Sequence, residues 1–147
     1  YPNGFDFKGD VTMQPGVYVM RGDVEMTSHA DVTGNGVTIA LENSDISVAG
    51  GATTDLTAPT TGSTAGIVLM RDGPPTSSAM EGGASMVLNG AVYMPETDLR
   101  YAGTSDPGGC LQIVANSVEF AGDTDFNIDC SALGAEDIVI DVVLLVS

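Results

Sequence analysis

Apolar positions along this chain fall in short runs. Residues 17–20 (VYVM), 24–26 (VEM), 31–33 (DVT) and 37–41 (VTIAL) are separated by brief breaks rich in Gly, Asp and Asn. That pattern is written by short strands joined by tight turns, and no stretch of it carries a helical period. The same phrase returns at 66–70 (GIVLM), 90–95 (GAVYMP) and 111–115 (LQIVA). The lead strand moves from Val17 to Val37, a step of about 20 residues that is typical of a β-helical repeat. The pattern therefore predicts an all-β, single-domain β-solenoid of about five short-stranded turns, each stacked on the last.

Three segments stand apart from the repeat. Residues 1–8 (YPNGFDFK) place Phe5 and Phe7 on one side of an extended strand, where they suit a cap over the first open end. Residues 71–85 (RDGPPTSSAMEGGAS) form the longest break and read as a surface loop. Residues 138–147 close the chain with an apolar strand (IVIDVVLLV) interrupted only by Asp141, which suits burial on both faces or a cover over the last turn.

Composition narrows the picture. The length of 147 residues suits one domain, and aromatics are only 5%, so the core must come from aliphatic side chains and Met. The net charge is −16, from 20 acidic and 4 basic residues. Such a chain repels phosphates, which argues against nucleic acid and anionic membrane surfaces as partners. The acids suit a solvated outer face that keeps an edge-rich fold soluble. No apolar run is long enough for a transmembrane helix, so direct membrane insertion is not expected. Residues 1–4 have no signal-peptide character, and an exported protein would then be a mature product or a piece of something longer.

Candidate chemistry is sparse. Asp123, Asp125, Asn127 and Asp129 resemble the opening of an EF-hand loop, but Ile128 stands where the turn needs Gly and Gly134 where the closing Glu belongs. Strand alternation accounts for the same residues as an outward row, so calcium is a candidate without its bidentate ligand and no cofactor is required. Cys110 and Cys130 are too few for a zinc site, and the single histidine, His29, is far away in sequence. They suit a disulfide outside the cytoplasm, or two buried thiols. His29 lies in a polar turn, without a serine in a nucleophile-elbow context to make a triad. Acidic pairs are everywhere and carry no signal, while Lys8, Arg21, Arg71 and Arg100 are a thin supply for acidic sugars. Gly22 and Asp23 of the tripeptide at 21–23 already have a turn role. Thr12, Thr27, Thr33, Thr38 and Thr57 do not fall into the T-x-T register of an ice-binding face. No enzyme emerges from these residues.

The order of phrases resembles the C-terminal region of TadG-like proteins of bacterial tight-adherence (Flp) pilus-assembly systems. The residues that carry it are 15–20 (PGVYVM), 30–39 (ADVTGNGVTI), 56–62 (LTAPTTG) with 65–67 (AGI), and 88–90 (LNG) before 92–95 (VYMP). The paired Cys110 and Cys130 and the closing 144–146 (LLV) extend it from about Gly9 to the end. The resemblance implies a non-catalytic structural or adhesive module of a bacterial surface appendage, extracellular or in the cell envelope. Its partners would be other pilus or appendage proteins, or its own copies through the solenoid ends. Family members usually carry an N-terminal membrane anchor and often a von Willebrand-type domain with D-x-S-x-S. Residues 129–133 (DCSAL) do not complete that motif, as in a fragment or a relative reduced to the solenoid. Two alternatives remain: a self-assembling extracellular filament subunit, and a carbohydrate-binding or carbohydrate-cleaving β-helix. The second predicts exposed aromatics in a line, with Tyr18, Tyr93 and Tyr101 as candidates.

Overall fold

A computed structural model describes residues 2–81, 86–103 and 110–122. Twelve strands follow one another with no helix among the described residues: β1 (Phe5–Phe7), β2 (Asp10–Met13), β3 (Gly16–Met20), β4 (Val24–Met26), β5 (Asp31–Asn35), β6 (Val37–Glu42), β7 (Ile46–Val48), β8 (Thr53–Thr57), β9 (Ile67–Asp72), β10 (Thr76–Met80), β11 (Met86–Tyr101) and β12 (Leu111–Phe120). Each pairs with the strand about one turn away, and every pairing is parallel. The chain is a β-solenoid of about five turns.

The pairings resolve into three ladders, so the solenoid has three faces. The first face stacks β3, β6, β9 and the initial halves of β11 and β12 after residue 89. The second stacks β1, β4, β7, β10 and the later halves of β11 and β12. The third stacks β2, β5, β8 and the opening residues of β11. The long β11 thus crosses two corners without leaving strand geometry.

Alternation fills the interior. On the second face Phe7, Met26, Val48, Met80 and Tyr101 lie in one inward column, with pairings Phe7↔Met26, Met26↔Val48, Val48↔Met80 and Met80↔Tyr101. All five are buried. On the third face Val32 meets Thr54 and Thr54 meets Met86, and on the first Ile39 meets Leu69 and Leu69 meets Val92. Six of the seven methionines are buried, since an unbranched thioether fills the gaps between stacked aliphatic layers. Each fully buried Met, Leu or Val stabilises the fold by about 1.5–3 kcal/mol.

Two segments differ from the sequence expectation. Residues 71–85 are not one surface loop: Arg71 ends inside β9, and residues 76–80 are β10, in register between β7 and β11. Ser78 and Met80 point inward and are buried, while Ser77 is exposed and Ala79 half-buried. The described excursion lies instead at 58–66, between β8 and β9. It lengthens the step from Ile39 to its partner to 30 residues (69 − 39), against 21 (39 − 18) from Tyr18. The loop is held by its own bonds, Gly66 N–H to Pro59 O at 2.7 Å and Ile67 N–H to Thr64 O at 3.0 Å. Residues 1–8 also do more than cap: Phe5, Asp6 and Phe7 pair with Val24, Glu25 and Met26 as the first rung of the second face. The closing strand expected at 138–147 lies outside the described residues.

Candidate functional surfaces

The corner between the third and first faces is built by the same short phrases in successive turns: Pro15-Gly16, Asn35-Gly36, residues 58–66, and Asn89-Gly90. Backbone bonds run up this corner from turn to turn. Gly16 N–H donates to Gly36 O, Gly36 N–H to Thr57 O, Ala58 N–H to Asn89 O, and Gly90 N–H to Cys110 O. Gly90 has φ +139, and a Cβ there would lie 2.7 Å from Ala58 Cβ and 3.0 Å from Gly66 O. Only glycine suits that combination of backbone and neighbours.

A second corner, between the first and second faces, centres on Arg71. Its position pairs with Leu41, which pairs with Met20, so an apolar side chain is what the column calls for. Instead Arg71 is buried and turns its guanidinium into the corner. Nε donates to Ser44 O at 2.9 Å and lies 3.2 Å from Asp45 Oδ1, and Nη1 donates to Pro74 O at 2.9 Å. The Thr76 hydroxyl donates to Asp45 Oδ2 at 3.0 Å, and Asp45 N–H donates to Asp23 Oδ1 at 3.0 Å. The Asp of the 21–23 tripeptide is thus engaged in the corner.

The three outer surfaces differ. On the third face Asp10 lies beside Asp31 and Thr12 beside Thr33, with Thr53 and Asp55 on the next rung. Thr12 and Thr33 hydroxyls are 3.5 Å apart, but Asp55 takes the following place, so no threonine ladder forms. A shallow groove here is lined by Thr12, Thr33, Asn35, Asp55 and Thr57. The second face carries Glu25, Ser47, Asp98, Arg100 and Glu119 outward. Donation from the Ser117 hydroxyl and the Asn116 amide holds the Asp98 carboxyl below its ordinary range. The first face is apolar, with Val17 and Tyr93 exposed and Ala40 and Met70 half-buried.

All four basic side chains are in ion pairs: Lys8 with Asp6, Arg21 with Glu42, Arg71 with Asp45, and Arg100 with Glu81. The hydrogen bond and charge of Glu42 push the Arg21 guanidinium up from its ordinary value. At the N-terminal end, Phe5, Phe7, Val11, Met13, Tyr18 and Met20 line a cavity of about 190 Å³. The Phe5 and Phe7 rings meet edge-on at 4.7 Å there.

The calcium candidates Asp123, Asp125, Asn127 and Asp129 lie outside the described residues, as does Cys130. Among the described residues no group of three or more His, Cys, Asp or Glu could hold a metal ion. Cys110 is buried, and none of the described cysteines is free. His29 is exposed, with Nδ1 3.2 Å from the Ser28 hydroxyl. The three tyrosines do not form a line: Tyr18 packs at the N-terminal end, Tyr93 stands out from the first face, and Tyr101 is buried under the second. Sequence reading missed the Arg71 corner and the apolar outer face. The second was legible in the residues that alternate with the inward column, Val17, Ala40, Met70 and Tyr93. Compared with known proteins, the chain matches no family profile, no curated protein and no solved structure.

Proposed function

We propose that this chain is a non-catalytic structural and adhesive module of a bacterial surface appendage, related to tight-adherence (Flp) pilus assembly, working outside the cytoplasm. One observation carries the reading. The chain is a stack of about five parallel turns, and at the corner between the third and first faces backbone bonds tie Gly16 to Gly36, Gly36 to Thr57 and Ala58 to Asn89 from turn to turn. A stack of parallel ladders presents long, flat surfaces, which suits a role in holding or displaying rather than in turnover. The role needs no cofactor. A Cys110–Cys130 disulfide, and with it an oxidising compartment, belongs to this proposal.

A second reading, a filament subunit joined end to end, is favoured by the apolar cavity at the N-terminal end and by the outer edges of β1, β2 and β3. Disruption of the gene in its bacterium tests the main reading. Surface adherence is expected to fall and to return on complementation. Unchanged adherence, with saturable binding or cleavage of a glycan by the purified chain, would contradict it in favour of the carbohydrate reading.

A further inference from the structure

We infer that Asn3 is a site of spontaneous modification, where the Gly4 nitrogen closes a succinimide on the Asn3 side chain and the product loosens the first rung of the second face. This goes beyond the appendage reading and does not depend on it. Three Asn-Gly pairs occur in the sequence, Asn3-Gly4, Asn35-Gly36 and Asn89-Gly90. Asn-Gly is the pair most prone to this chemistry, because glycine has no Cβ to shield its nitrogen. The nitrogen attacks the side-chain carboxamide carbon, the new C–N bond expels ammonia, and water then opens the ring at either carbonyl. Opening gives aspartate or isoaspartate, and each carries a negative charge that asparagine lacks.

The fold separates the three pairs. Asn35 lies in β5 opposite Thr57 of β8, and the Gly36 N–H donates to Thr57 O at 2.9 Å. Asn89 is buried in β11, its side-chain amide donates to Thr57 Oγ1 at 3.3 Å, and the Gly90 N–H donates to Cys110 O at 2.8 Å. Extended backbone holds the next nitrogen away from a residue's own carboxamide, and a nitrogen engaged in the ladder must first give up its bond to react. Asn3 has neither restraint. It is exposed in the turn before β1, and the Gly4 N–H has no hydrogen-bond partner among the described residues.

The same place has little room for the product. The Asn3-Gly4 peptide lies against Gly22-Asp23, so that a Cβ on Gly22 would lie 2.6 Å from the Asn3 carbonyl carbon. Isoaspartate lengthens the main chain by one carbon at that contact and adds a carboxylate beside a segment that already carries Asp23. The ladder starts just beyond, where the Phe5 N–H donates to Asp23 O at 3.0 Å. β1 has only three residues and stands at the end of its sheet beside β4, so little else holds it. Release of β1 opens the cavity that Phe5 and Phe7 line.

Peptide mapping by mass spectrometry of the full chain, held folded at mildly alkaline pH for weeks, tests the site. Conversion is expected at Asn3, with Asn35 and Asn89 slower by about a hundredfold or more because each waits for its turn to open. In urea the three should convert at comparable rates, which shows that the fold sets the difference. Asn3→Gln should stay unmodified at that position, since the longer side chain closes its six-membered ring far more slowly. Hydrogen exchange reads the second half of the inference. Residues 5–7 are expected to exchange faster in the isoaspartate fraction than in the parent, while Asn3→Gln aged in parallel keeps the parent's rate. Asn3 left intact by ageing that converts the urea sample, or Asn35 or Asn89 converting as fast as Asn3 in the folded chain, would overturn the site. Unchanged exchange at residues 5–7 in the isoaspartate fraction would overturn the loosening.

Discussion

Single residues hold two distinct kinds of constraint in this fold. Gly90 combines φ +139 with close approach to Ala58 and Gly66, whereas Gly16 has φ +154 and open space around a would-be Cβ. Gly90→Ala is therefore expected to cost about 2–3 kcal/mol, and Gly16→Ala less, the difference isolating the packing contribution. Urea denaturation of the two variants checks this. Tyr101 is the opposite case, a side chain that carries more than its site can use. It is fully buried, and its hydroxyl has no hydrogen-bond partner among the described residues. Tyr101→Phe is expected to raise stability by about 1 kcal/mol, since an unsatisfied buried hydroxyl is removed and the ring is kept. Burial pushes the Tyr101 phenol up from 10.0. Below that value both states are protonated and its contribution is complete. Above it the unfolded chain loses the proton while the folded chain retains it, so stability falls as pH rises. Thermal denaturation at about pH 8 and about pH 11 should show a smaller alkaline loss in Tyr101→Phe than in the parent.

Among the elements, the Arg71 corner ties β9 to the turn before β7. Its side chain is 4% exposed while Asp45 is 39% exposed, so the carbonyls of Ser44 and Pro74 matter more than the ion pair. Arg71→Met keeps the stem and removes the donors, and is expected to lower stability by about 2–4 kcal/mol, read as a shift in the denaturation midpoint at unchanged slope. The same corner shows why part of the fold was hidden from sequence reading. Strand runs with clean alternation, such as 37–42 and 46–48, were legible because every second side chain is a large hydrophobe. Residues 71–85 were not, because a charged Arg and a run of Ser and Ala imitate a loop. Arg71 is buried because the turn supplies carbonyls, and Ser78 because β10 is in register between β7 and β11. The Gly-rich corner was read as turns, which it is, but the bonds that stack one turn on the next appear only when registers are known. The apolar first face is a matter of register too. Val17, Ala40, Met70 and Tyr93 lie in four separate strands and join only once those strands are aligned.

At the scale of the whole molecule, the three faces divide the labour that one composition seemed to average. Among the described residues the second and third faces carry acids outward (Asp6, Glu25, Asp98 and Glu119 on one, Asp10, Asp31 and Asp55 on the other), the four cations are in ion pairs, and the first face exposes Val17 and Tyr93. The central claim is that the chain works as a presented, passive module at the cell surface. The most direct test is immunogold labelling of intact and of lysed cells of its bacterium, with antibody raised against the purified chain. Gold on the surface or along appendages of intact cells is the predicted result. Gold that appears only after lysis, scattered through the cytoplasm, would contradict it.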